Sequence, residues 1–454
     1  MEQATTPSIE ALKVYTLAVR SDDDAAAVRL FKRAIELDPE FALAYANLGI
    51  SSYNVEDLAA SRQCLTKAYE LRGRASEREQ IQITATYYQI VTRELEEAIR
   101  AYEEWARIYP RDFRPVASLG VSYSQLGEYQ KAVNADLEAL RMKPNSAVVH
   151  NNLMNDYLYL NRPADAKAIY EQALARNLEY PPLHQARYQV AFIQGDVAEM
   201  ERQVEWAKGK PDIERDLLDI HASTELFSGH LRKSEEVYRR AIDLSRRSKE
   251  MEAVAGMELE KASARVDLGY VDQARRVQFA LSIASTPDVK VRAALALARA
   301  GDSTEAKEMV TGLAKDNPRD TLLNGYWLPC IRASIAIARK QPDEAIELLE
   351  AASPYELSPV ADLCPAYLRG LAFLLMRQGS EAATEFQKIL DHAGIVTNNL
   401  NGALAHLQLG RAYAMQGDAA KARTAYQDFL TLWKDADPDI PILIAAKAEY
   451  AKLK

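Results

Sequence analysis

The sequence is poor in chain breakers. Only 18 glycines and 18 prolines punctuate 454 residues, too few for the frequent tight turns of an all-β chain. A hydrophobic content of 48% with 27% charged residues is that of a folded chain, not a disordered one. Cysteine is scarce as well: Cys64, Cys330 and Cys364 form no close pair, which excludes a disulfide framework and a CxxC metal or redox site. They read as small buried residues, and Cys330 and Cys364, 34 positions apart, could face each other across neighbouring hairpins. Positive charge is in deficit, with a net charge of −9, so a nucleic-acid partner, which selects a basic face, is not expected. The densest basic run, Arg239, Arg240, Arg246, Arg247 and Lys249, is interleaved with acids and reads as a solvated helix face. No stretch approaches the ~18 apolar residues of a membrane span. The opening MEQATTPSIEALKVYT also lacks the basic-then-apolar run of a signal peptide. As written the chain reads as cytoplasmic, with no direct membrane insertion.

Catalytic signatures are missing too. There is no GxG phosphate loop and no HExxH, and Asp112-Phe113 is followed by Arg114 where a kinase would need glycine. The six histidines show no ligand spacing; His150, His184 and His406 share one position that is elsewhere aromatic, and read as packing residues. Paired acids such as Glu96-Glu97 and Glu235-Glu236 read as solvated helix faces. The expectation is therefore no enzyme: no catalytic residue, no metal site and no cofactor.

What is present is a period. A small residue four positions before a bulky apolar or aromatic one recurs at Ala27, Ser61, Ala98, Ala132, Ala166, Ser234, Ala274, Ala306, Ala345, Ala382 and Ala422. Met200, before Val204, fills the one gap. The successive spacings are 34, 37, 34, 34, 34, 34, 40, 32, 39, 37 and 40 residues. Glycine or alanine fits where two helices approach closely, and an aromatic fills the wider space beside it. Pro39, Pro110, Pro144 and Pro318 fall where a helix must stop. Gly127, Gly195, Gly229, Gly269, Gly301 and Gly417 fall between the helices of a pair.

The period and the residues Val116, Leu119, Gly120, Tyr123, Ala132, Ala139 and Pro144, repeated as His406, Leu409, Gly410, Tyr413, Ala422 and Tyr426, resemble the tetratricopeptide-repeat family. The resemblance implies an all-α fold: a right-handed superhelical solenoid of about 12 antiparallel helix pairs with a C-terminal capping helix. The expected organisation is a flexible N-terminus over 1–7, regular repeats over 8–246, more divergent repeats over 247–434, and the capping helix over 435–454. It also implies a protein or peptide partner lying along the concave groove formed by the first helices. Asn47, Asn151, Asn155, Tyr159, Gln185 and Gln189 are the groove residues on this register, amides suiting a peptide backbone because they both donate and accept. The charged clamp of some relatives is not expected, because its cationic places fall on Leu12, Gln80, Ala117 and Pro182.

The phrases SIEALKVYTLAV, YWLPCIRASIAIARKQPDEAIELLEAASPYEL and AYQDFLTLWKDADPDIPILIAAKAEYAKL resemble the C-terminal repeat region of bacterial membrane-anchored serine/threonine protein kinases. That resemblance implies an alternative, a sensor region whose kinase domain lies outside this sequence. It would place the repeats outside the cytoplasmic membrane.

Overall fold

The computed structural model describes residues 6–21, 24–55, 57–270, 274–360 and 362–453. Among them are 26 α-helices and no strand. Twelve successive helix pairs, from Ile9–Val19 with Asp24–Leu37 to Leu400–Met415 with Ala419–Leu432, precede a last helix over Pro441–Ala451. Of the seven residues expected to be flexible, 1–5 lie outside the described residues. Thr6 is buried and donates to Asp38.

Local chemistry explains the pairs. Gly195, Gly301 and Gly417 each close a first helix with φ of 68°, 90° and 78°, a left-handed conformation that costs glycine nothing. The next residue, Asp196, Asp302 or Asp418, accepts the backbone N–H three positions on and starts the second helix. A Gly-Asp dipeptide thus reverses the chain in two residues. Across the pair, a Cβ on Gly370 would lie 2.6 Å from Phe386, and one on Gly410 2.9 Å from Tyr426. Both rings are fully buried there, worth about 1.5–3 kcal/mol each.

The recurring small residues are buried at ten of the eleven positions; at Ala274 nothing is described of the side chain. The sixth pair departs from the expected register. Glu199, Gln203 and Ala207 face inward on Val197–Ala207, while Met200 and Val204 are only half-buried. A polar network wins over the apolar stripe here. Gln203 donates to Glu199 at 2.6 Å and its oxygen meets His184 at 2.7 Å, while Arg187 pairs with Glu199 at 3.3 Å. The longer spacing from Ser61 to Ala98 coincides with a 3-10 turn at Arg72–Arg74 and a π-turn at Tyr87–Thr92, which absorb extra residues.

The chain divides into two compact units. The first runs to Tyr123 and adds Asn134–Pro144 and Arg319–Thr321. In it, Thr321 donates its backbone N–H to Arg93 O and accepts the N–H of Leu95, capping the Leu95–Ile108 helix. The second comprises Ser124–Val133, Asn145–Pro318 and Leu322–Lys454. Its late repeats fold back on its early ones. Asn398 donates to Ile220 O at 2.8 Å, Asn161 to Asp391 O at 2.6 Å, and the Trp433 indole to Phe227 O at 2.9 Å. Gly394 packs so tightly that a Cβ there would overlap the Leu158 carbonyl. Ile440, Leu443 and Ala446 of the final helix join the same core as Trp433 and Phe429.

Cys330 and Cys364 share one buried cluster. Burial raises the Cys330 thiol, while its hydrogen bond to Cys364 lowers the latter. No described helix is long and apolar enough to cross a membrane.

Candidate functional site

The first helices of successive pairs present one face inward, and each unit finishes that face differently. In the first unit it is a ladder. Asn47 donates to the Tyr15 hydroxyl at 2.6 Å and accepts from Gln82 at 3.3 Å. Arg114 reaches Gln82 at 3.5 Å and Asp112 at 2.7 Å. Burial pushes the Asp112 carboxyl up, but hydrogen bonds from Arg114 and Arg78 outweigh it and hold the group down at about 2. Asn47, expected as a groove residue, is thus committed to its neighbours on both sides.

In the second unit the remaining expected residues lie together. Asn151, Asn155 and Tyr159 follow one another at four-residue steps along Ala147–Tyr159, and Gln185 and Gln189 do so on Pro181–Gln194. All five are half-buried. Gln185 donates to Asp216 at 2.9 Å. The Asn151 side-chain oxygen is buried and accepts no hydrogen bond from the described residues. Tyr159 packs on Tyr129 with ring centroids 5.0 Å apart, and burial with the Asp156 and Asp362 charges pushes its hydroxyl up.

Further along the same inner face lies a cavity of about 180 Å³. Its wall includes Glu260, Asp267, Arg299, Trp327, Asp362 and Asn401. Arg299 pairs with Asp267 at 2.5 Å, and Asn399 donates to Asp362 at 2.7 Å. Burial, reinforced by the Glu260 charge, holds the carboxyls of Asp219 and Asp362 up at about 7. Burial also raises Asp267 to about 6 against the pull of Arg299.

Residues 152–206 and 367–439 match a family described as tetratricopeptide repeat, and residues 116–146 match a second family of that description. These three segments carry tetratricopeptide repeats. Among solved structures it is similar to the crystal structure of yeast Tom70, at 11% identity over 98% of this chain and 95% of that one, with a TM-score of 0.38. It is also similar to a tetratricopeptide repeat protein from Parabacteroides merdae, at 15% identity over 63% of this chain and 98% of that one, with a TM-score of 0.33. Both likenesses are too loose to carry an argument about this chain. No curated protein matches the sequence.

The repeat register did not point to the acidic cavity. Glu260, Asp267 and Asp362 of its wall come from one first helix, Met251–Asp267, and one loop, and neighbouring Asp219 lies on another first helix, Pro211–Phe227. Their convergence depends on the late repeats returning to the early ones, and no short motif encodes that. The sequence marks the place only by the proline-rich join around Pro354, Pro359 and Pro365; in the structure Asp362 and Leu363 both take left-handed backbone there, with φ of 50° and 58°, costly for residues with a side chain.

Proposed function

We propose that this protein is a non-catalytic scaffold that binds polypeptide segments along the inner face of its tetratricopeptide repeats. The observation that carries the reading is the row of half-buried amides on Ala147–Tyr159 and Pro181–Gln194, with the Asn151 oxygen buried and unpaired. An extended peptide exposes backbone N–H groups that such acceptors satisfy, and unpaired buried acceptors are costly without them.

The test replaces Asn151, Asn155 and Tyr159 together by alanine. A photo-crosslinker at Gln189 should trap a partner peptide in the parent protein and lose it in the triple variant. Unchanged crosslinking would remove the inner-face assignment.

The kinase-like phrases support a second reading, in which this region regulates a serine/threonine kinase. An in-frame kinase domain and membrane span encoded upstream of Met1 would favour it; an unrelated upstream gene would remove it.

A further inference from the structure

The acidic cavity in the second unit has a different chemistry from the amide row. We propose that it binds a small organic cation carrying an ammonium or guanidinium group.

The charge balance comes first. Glu260, Asp267 and Asp362 line the cavity together with two arginines, Arg292 and Arg299, and the Glu260 charge is also felt at Asp219. Arg299 is already paired with Asp267. Arg292 is exposed, so Glu260 and Asp362 are left with one solvated cation between them. Burial, with the Glu260 charge beside them and too little counter-charge, makes Asp267 and Asp362 hold their protons to higher pH. A bound cation supplies that charge, whereas an anion would add to the surplus.

The second observation is independent of charge. Asn401 lines the cavity at the start of Leu400–Met415 and is only 7% exposed, yet its side-chain oxygen accepts no hydrogen bond from the described residues. A buried acceptor of this kind calls for a donor, and ammonium and guanidinium groups are donors without acceptors. Trp327 adds an aromatic wall, which favours an organic cation. A bare metal ion suits the site poorly, since no group of three or more His, Cys, Asp or Glu among the described residues could hold one. The cavity volume of about 180 Å³ sets the scale at a small molecule.

Agmatine and putrescine are suitable probes, titrated calorimetrically into the full chain, with succinate as the anionic control. Saturable binding of at least one cation is expected, weakened tenfold or more by Asp362→Asn and by Glu260→Gln. Ser263→Phe, which leaves every carboxylate in place but fills the cavity, should abolish it. Circular dichroism melts establish that each variant is folded. No saturable heat with either cation overturns the proposal, as does equal affinity in all three variants or a preference for succinate. A hexapeptide with one arginine separates a free ligand from a side chain of a bound polypeptide. Binding of that peptide without binding of agmatine or putrescine overturns the small-ligand assignment and leaves the scaffold reading standing.

Discussion

The two units use the same repeat and finish its inner face in opposite ways. In the first, Tyr15, Asn47, Gln82 and Arg114 satisfy one another along four successive first helices, and the neighbouring acid Asp112 is held down by two arginines. In the second, the cavity's three acids, Glu260, Asp267 and Asp362, outnumber its two arginines, and burial pushes Asp219, Asp267 and Asp362 up. The difference follows from closure. Where late repeats return to early ones, side chains that would each face water alone are brought to face each other, and burial charges them a penalty that sequence neighbours do not relieve. A repeat surface compatible with water can thus become a site once the array bends back on itself.

Closure is the part of this comparison most easily broken. Trp433→Ala removes a fully buried indole and its hydrogen bond to Phe227, at a cost of about 3–5 kcal/mol. Hydrogen exchange read by mass spectrometry should rise across the second unit and leave protection around Tyr15–Gln82 unchanged. Equal loosening of both units would contradict their separation. Gly394→Val forces a side chain into the Leu158 carbonyl and should cost about 2–3 kcal/mol, visible as a lower melting temperature. An unchanged melt would show that this contact does not hold the closure.

The acids sharpen the comparison, because their pH dependences have opposite sign. Asp112 sits at about 2, below its ordinary 3.8. Its stabilisation is therefore present above pH 4 and lost as pH falls towards 2. Asp112→Asn should destabilise by about 1–2 kcal/mol at pH 7, with the gap closing in acid. Asp362 sits at about 7, above 3.8. Its protonated form favours the fold below pH 4, and that advantage is lost as pH rises through 7. Asp362→Asn should accordingly gain on the order of 1 kcal/mol over the parent at pH 8 and nothing at pH 4. Urea melts at those pH values distinguish the cases; the same sign for both variants would refute the contrast. The smallest effect is expected from Asn47→Ala, about 1 kcal/mol for the broken rung, measured as local exchange near Tyr15 and Gln82.

Much of this architecture is legible in the sequence. The spacing of small residues gave the helix pairs, because the close approach of two helices is a local requirement repeated in every unit. The glycines between the helices of a pair marked the reversals, since a left-handed terminus costs them nothing. That Asn151, Asn155 and Tyr159 share one side of a helix follows from their four-residue spacing. The sixth pair was misread at Met200 because Glu199 and Gln203 are buried there by partners on Pro181–Gln194, and a periodicity of apolar residues cannot register a buried polar network.

By itself the sequence determined that this protein is an array of helix pairs and how many there are. Those properties rest on contacts within a repeat or between adjacent repeats. Only the tertiary structure decided that Asn398, Gly394 and Trp433 dock on repeats some 180 to 240 positions earlier, and with that the acidic cavity. Small rises and rotations between adjacent pairs, each too slight to leave a mark in sequence, accumulate along the stack, and it is their sum that sets which distant side chains meet.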